Sequence, residues 1–598
     1  MNDQATEDSV EQDAGDQLEH KVSKVLPLRI WPAILLLVGM AALIGGRFVP
    51  SMTESGSILA LLAVMLGPAL MGVGVLLWWA FASRATLNEK IVGSIGLIVV
   101  AIACIMLSDK TMLGPGIMLI TVPMGMAAFA ISTVVFKNHL DISRTWIALI
   151  FAVFGFAFTP MLRSDGMYAD GTLEWNWRWS DSDEQKLVAK QASFAKDTLA
   201  RIPAPQIDSW LAKPEWPRFR GPDMNGVQRG TTFPNRWPAE LEQVWKIPIG
   251  PGWSSFVVAG DLLFTQEQLG EEEAITCYKA DSGKEVWRHK VQTRFFDPIG
   301  GAGPRATPTL AGNSLFSLGA NGHLIKLDAK TGDAAWTVDI RETSDREPPA
   351  WGFSSSPLVT GNVVIVHAGG EGELGTLAYD ISSGDLKWSV PAGDHSYSSP
   401  QLWNFGGKTW VLMLTNSGLD VIDPAEGKIA WTYEWKSSGY RALQPTVVNN
   451  DIIMLPTQLE GVRCIQVSYE NGQFTAEELW TSKRLRPDFN DFVVYDGHIY
   501  GFDDSVFTSI DLETGERNWK KGRYGKGQVL LLGDSGQLLV TSEKGDLVFL
   551  DATPDEFSEI AKLPLLDGKT WNHPVVVGNR LYVRNAREAA CFELPTTE

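Results

Sequence analysis

The chain is short of cysteine and short of positive charge, and each shortage closes off a class of function. Its 598 residues include four cysteines, Cys104, Cys277, Cys464 and Cys591. None are adjacent and none stand at metal-ligand spacing, so the sequence points neither to a cysteine metal site nor to a disulfide framework. They read as buried free thiols. Lys and Arg total 51 against 70 Asp and Glu, a net charge of −19. No basic stripe is present to neutralise phosphates, which excludes nucleic acid as a partner. The first 20 residues contain no Lys or Arg. They lack the positive start of a cleaved signal peptide, and residues 1–28 read as a disordered cytoplasmic tail.

What the sequence does have, early on, is apolar length. Five runs, 30–49, 58–82, 91–107, 112–136 and 146–162, are almost wholly apolar. Each is about 17–25 residues, enough to cross a ~30 Å hydrocarbon core. Residues 29–162 are therefore expected to form a transmembrane anchor of five helices. Lys21, Lys24, Arg29, Arg84, Lys90, Lys137 and Arg144 flank the runs on one side, against Arg47, Lys110 and Arg163 on the other. The positive side faces the cytoplasm, so the N-terminus is cytoplasmic and everything after Arg163 lies outside. This makes a multi-pass protein of the cytoplasmic membrane with a periplasmic C-terminal half. Apart from Arg47 near the end of the first run, no Asp, Glu, Lys, Arg or His falls within the runs, and intramembrane charge is the usual mark of transport. The runs read as an anchor.

The second half repeats. An apolar strand, an Asp, a Gly-containing turn and a Trp recur as YKADSGKEVW (278–287), IKLDAKTGDAAW (325–336), LAYDISSGDLKW (377–388), DVIDPAEGKIAW (420–431) and TSIDLETGERNW (508–519). A degenerate copy ends at Trp480, and weaker ones stand at Asp551 and near Glu593. A spacing of about 40–52 residues is the period of a four-stranded propeller blade. Asp and the following Gly make the turn, and the Trp packs between neighbouring blades. Eight copies predict an all-β, eight-bladed propeller over 241–598. The last copy lacks its Trp strand, and a lone one, Gln243–Ile247, precedes the first blade. That strand is expected to complete the last blade and lock the ring, which also removes exposed sheet edges. Residues 163–240 form the linker. Within it, residues 174–179 (EWNWRW) are dense in Trp and read as an interfacial belt. Residues 182–199 have helical composition, and 216–237, rich in Pro, Gly and aromatics, are expected to wrap the propeller base.

The repeat resembles that of quinoprotein dehydrogenases and of the outer-membrane assembly propeller lipoprotein. The segments WPRFRGPDMNGV, GPGWSSF, TQEQ and GPRATPT are similar to a bacterial family of pyrroloquinoline-quinone (PQQ)-like repeat proteins, many of them labelled alcohol dehydrogenase-like. Helices ahead of such a propeller also resemble the membrane-bound glucose dehydrogenase layout.

In a propeller the innermost strands line the channel, and the residues opening each blade form one rim. Those openings carry Trp253, Arg305, Trp351, His395, Tyr397, Arg441, Gln444, Asn490, Asp491, Asn572 and His573. Flat aromatic walls, two guanidiniums for carboxylates, and Asn and Asp oxygens for a hard cation make a plausible ligand pocket. The resemblance implies PQQ held with calcium. On that reading Trp253, Arg305, Trp351, His395, Tyr397, Arg441, Gln444, Asn572 and His573 bind cofactor. Asn490 and Asp491 take the metal, and Asp491 is the general base. The Ser/Thr-Pro steps beside them read as inter-blade hydrogen bonds.

Two departures weigh against catalysis. The adjacent Cys-Cys pair of quinoprotein alcohol dehydrogenases and a CxxCH haem motif are both absent. The propeller is also as short as that of the non-catalytic lipoprotein. The reading favoured is a membrane-anchored binding or scaffolding module, with envelope proteins or a channel ligand as partners. The alternative is a PQQ-dependent dehydrogenase that oxidises alcohols or sugars and passes electrons to the membrane.

Overall fold

A computed structural model describes residues 27–46, 58–139, 142–190, 202–370, 372–393 and 396–597. The chain divides into two compact units, residues 1–164 with 173–179, and residues 165–172 with 180–598.

The first unit is helical. Its helices are Trp31–Gly46, Ile58–Leu77, Leu87–Leu107, Val122–Val135 and Ser143–Ala157. The second runs on through a π-helical turn, Trp78–Ala82, and the fourth is preceded by another, Ile117–Thr121. Four of them are long and apolar enough to cross a membrane. The expected count of five is not met among the described residues. The first helix has 16 residues, about 24 Å at 1.5 Å per residue, and residues 47–49 of its apolar run lie outside the described residues.

The third and fifth helices also start earlier than their apolar runs, and so bring in charge. Thr86 caps the third helix in a reciprocal box with Glu89. Glu89 then meets Arg144 of the fifth helix at 2.6 Å, both side chains buried. Arg144, counted above among the loop cations, is therefore an interior ion-pair partner. Trp79 donates its indole N–H to the Glu89 carbonyl at 3.2 Å. Gly93 makes room for that ring, since a Cβ there would lie 2.2 Å from the indole nitrogen.

The second unit carries eight blades, each a four-stranded antiparallel sheet, one of which gains a fifth, parallel strand at its inner edge. Blades 1–8 open at Val257, Thr309, Leu358, Gln401, Thr446, Val493, Gln528 and Val575. The first strands are more buried than the fourth, which turn toward solvent. First strands are therefore innermost. Glu242–Pro248 pairs antiparallel with Glu588–Glu593, placing Trp245 opposite Cys591. The lone Trp strand thus closes the ring on blade 8.

The repeat's chemistry is now visible. The indole N–H of six repeat Trp residues donates to the main chain of the next blade: Trp245 to Ala280, Trp287 to Ala329, Trp336 to Ile381, Trp388 to Pro424, Trp480 to Leu512 and Trp519 to Thr553; Trp431 instead packs on Tyr433 and Phe474. The acceptors stand within two residues of the repeat Asp, at the turn. Gly332 has φ +77°, and a Cβ there would meet the Trp287 ring at 2.5 Å. Only glycine suits both demands. All four cysteines are free and buried.

Candidate functional site

The innermost strands present one equivalent position per blade, just ahead of or at the strand start: Ser255, Thr307, Ser356, Ser399, Gln444, Asp491, Gln528 and His573. Side chain and main chain link these positions around the ring. The Ser255 N–H donates to Thr307 Oγ1 at 2.9 Å, Thr307 N–H to Ser356 Oγ at 3.0 Å, and Ser356 N–H to Ser399 Oγ at 2.8 Å. The Asp491 N–H donates to Gln528 Oε1 at 3.2 Å. Gln444, Asp491 and His573 therefore occupy the register of the Ser/Thr-Pro steps.

The channel inside this ring is entered by the chain's own linker. Trp216 exchanges main-chain hydrogen bonds with Val258 of blade 1, and Pro217 accepts from Leu310 of blade 2. Val227–Gln228 lies parallel to Leu531–Leu532, on the inner edge of blade 7's first strand. Met224 packs with Leu358 and Val363 of blade 3. The segment expected to wrap the base instead passes along the innermost strands.

One of its arginines meets the expected general base. Arg220 Nη1 lies 3.2 Å from Asp491 Oδ1, with both side chains almost fully buried. Arg220 also donates to the Phe492 and Asn225 carbonyls. His573 Nε2 stands 2.9 Å from Asp491 Oδ2, and the His573 ring packs edge-on to Phe219 at 4.9 Å. Burial alone would raise the Asp491 carboxyl, but the Arg220 guanidinium and His573 hold it below the usual carboxylate range. Asn490 accepts from the Asp488 N–H, and Asn572 donates to the Gly252 and Ser254 carbonyls of blade 1. Gln444 reaches Pro400 of blade 4.

Arg441 is buried in the wall. Its guanidinium donates to the Thr415 carbonyl at 2.7 Å and to that of Trp435, and lies over the Trp435 ring. Burial lowers its pKa to about 10. His395 lies outside the described residues.

The remaining residues sit at the rim formed by the loops between blades. Arg305 pairs with Asp297, donates to the Gly301 carbonyl and covers the Phe295 ring. Trp351 packs on Tyr397 at 5.0 Å and on Tyr440 at 4.4 Å. Burial pushes the Tyr397 hydroxyl up to about 12. Tyr440 donates to Asp488, which Lys526 meets at 2.9 Å. Opposite, Trp253 packs on Trp571 at 4.9 Å, and Trp571 on Phe489 at 4.8 Å. Lys569 lies over both Trp rings and donates to the Ile299 carbonyl. Residues 165–172 sit on this sector: Met167 donates to Ile299, and Ala169 to Glu543 Oε1, which also accepts from Trp571.

The expected set thus falls into two groups, a rim (Trp253, Arg305, Trp351, Tyr397) and an inner ring (Gln444, Asn490, Asp491, Asn572, His573), with Arg441 in the wall. Sequence reasoning missed Arg220, Tyr440, Asp488 and Lys526. The last three stand in the blade openings, where an aligned comparison of all eight would have found them.

Known proteins align with this half. The family model described as "Outer membrane protein assembly factor BamB" matches residues 237–348 and 275–521. The BamB of Burkholderia pseudomallei is 24% identical over 357 residues, covering 55% of this chain and 84% of that protein. Quinohemoprotein alcohol dehydrogenase ADH IIB of Pseudomonas putida is 32% identical over 190 residues, covering 27% of this chain and 26% of the enzyme. The crystal structure of BamB from Moraxella catarrhalis covers 60% of this chain and 99% of its own, at 19% identity and a TM-score of 0.44.

The second relative raises PQQ, and the residues present do not fit it. Both guanidiniums expected to hold its carboxylates bond protein acceptors, and Asp491 is neutralised by Arg220. Among the described residues no group of three or more His, Cys, Asp or Glu is placed to hold a metal ion. Eight blades closed by the Glu242–Pro248 strand, together with these matches, make the chain a PQQ-like β-propeller repeat protein.

Proposed function

We propose that the protein is a membrane-anchored binding or scaffolding module of the cell envelope. Its apolar helices sit in the cytoplasmic membrane with the N-terminus inside, and its propeller stands on the periplasmic side. The observation that carries this reading is the Arg220–Asp491 pair inside the ring. The linker lies along the innermost strands and takes up the one carboxylate best placed for base chemistry. Similarity to BamB over 84% of that protein supports a role with envelope protein partners. The surface offered to them is the part of the rim around the half-buried Trp351 and Tyr440, which pack over the buried Tyr397.

A dehydrogenase is the second reading, favoured by the 32% identity to the quinohemoprotein enzyme. Titration of the full-length protein in detergent with PQQ and calcium separates the two. The scaffold reading expects neither saturable binding at micromolar PQQ nor dye reduction with alcohols or sugars. Saturable binding that is lost in Arg305→Ala would establish the second reading instead. A photo-crosslinking residue at position 351 is expected to capture an envelope protein in cells.

A further inference from the structure

Residues 173–179 belong to the helical unit. Leu173–Trp177 is extended, and a turn carries the chain on through Trp179. Alternate residues of a strand face one way, so Trp175 and Trp177 share a face, and Trp179 stacks on Trp177 at 5.0 Å and 10°. Trp175 and Trp177 also pack edge-on to each other at 5.9 Å. The three indoles are 45%, 39% and 68% exposed. A contiguous patch of tryptophan open to this degree is an interaction surface rather than core.

Its position names the partner. Between the tryptophans, the Arg178 N–H donates to the Met161 carbonyl at 2.8 Å, and its guanidinium to the Leu107 carbonyl at 3.0 Å. Asp109 lies 3.6 Å from Arg178 Nε. Leu107 ends one apolar helix, and Met161 ends the apolar stretch 143–161. The patch is therefore pinned level with the ends of two candidate spans. It continues their apolar surface: Phe158, at the end of the last helix, contacts Trp175 and Trp177 at 6.5 and 5.9 Å, and Met106, Leu107 and Met161 are exposed beside it. Indole rings, apolar with one polar N–H, settle where acyl chains meet headgroups.

We propose that Trp175, Trp177 and Trp179 form a seat in the headgroup–acyl boundary of the leaflet on the propeller's side. The seat fixes the depth at which the last helix leaves the bilayer. It rests on the membrane reading above, and its test is built to fail separately from that reading. Nitroxide labels are placed on Trp177→Cys, Trp179→Cys, Val99→Cys and Lys428→Cys of the full-length protein in phosphatidylcholine nanodiscs. The four native cysteines are buried, so labelling goes to the introduced thiol. Collision with oxygen, which partitions into lipid, is compared with collision with a water-soluble nickel chelate.

Val99, exposed in mid-helix, is expected to be rich in oxygen and poor in nickel, and Lys428, on the propeller surface, the reverse. Both tryptophan sites should fall between, with nickel access severalfold below Lys428 and oxygen access above it. If Val99 is as nickel-accessible as Lys428, the membrane reading fails. If Val99 is dry but both tryptophan sites are as wet as Lys428, the seat alone fails. Shielding of both tryptophan sites from both reagents would mean a protein partner or second copy, and would equally overturn the seat.

Discussion

Arg220 and Asp491 meet 3.2 Å apart, although 270 positions separate them in sequence and neither side chain reaches solvent. One comes from the linker and the other from the opening of blade 6, so the contact ties a segment outside the repeat to the innermost ring.

Arg220→Ala removes one charge and leaves the other buried. That loss costs about 3–5 kcal/mol, read as a fall in the denaturation midpoint of the full-length protein. Arg220→Met with Asp491→Leu should recover most of it, because neither charge then needs a partner. The pair also gives an acid limb. Asp491 is held below its ordinary value when folded, so its contribution is complete above the unfolded value of ~3.9 and is lost as pH falls through the folded one. The Arg220→Ala variant, which keeps only His573 beside the carboxylate, should show a weaker limb.

Glu273 predicts the opposite slope. Burial pushes its carboxyl up to about 7, against the pull of the Ala320 N–H and Arg305. The folded protein therefore holds a proton that the unfolded chain releases near pH ~4.3. Between those values stability falls as pH rises, and above about 7 the loss is complete. Glu273→Gln carries no charge to bury. It should be more stable than the parent at pH 8 by up to about 3 kcal/mol, and close to it at pH 4. Thermal melts of the two proteins across that range check the sign.

Thr307→Val probes the inner ring. The variant keeps shape but removes the acceptor of the Ser255 N–H, which is buried. An unsatisfied buried donor costs about 1–3 kcal/mol. Hydrogen exchange should quicken at Ser255, between blades 1 and 2, before it does at blade 5.

These contacts show what was legible beforehand. The Trp period and the lone Trp245 strand specify ring and closure, because all but one of the repeat Trp rings dock on the next blade's turn and one strand is otherwise unpaired. Gln444, Asp491 and His573 drew attention as polar residues at the channel, and they are the bulkier versions of a position that is Ser or Thr in blades 1–4. Aligning the eight openings would have placed them. Arg220 was beyond reach: it lies in an irregular Pro- and Gly-rich stretch whose two-residue strand has no period to read. Arg305 and Arg441 were legible as buried cations, but their acceptors, Asp297 and main-chain carbonyls, follow from loop conformation.

The helical unit hides one charged contact behind its apolar runs. Thr86, two residues and Glu89 form a capping signature legible from sequence, yet counting apolar residues from Ile91 onward sets Glu89 outside the helix. Once the cap fixes the start at Leu87, Glu89 turns inward to Arg144 at 2.6 Å. Glu89 has other bonds to keep, with Thr86 and its own N-cap main chain, whereas Arg144 has Glu89 as its acceptor. Removing the acid should therefore cost more than removing the base. Glu89→Ala strands a buried guanidinium and loses the cap, about 3–5 kcal/mol from the pair and ~1 kcal/mol from the cap. Arg144→Ala leaves a carboxylate that still accepts from Thr86. Midpoints of heat-induced aggregation in detergent should fall in both and further in Glu89→Ala. Equal losses would mean that the capping bonds contribute nothing beyond the pair.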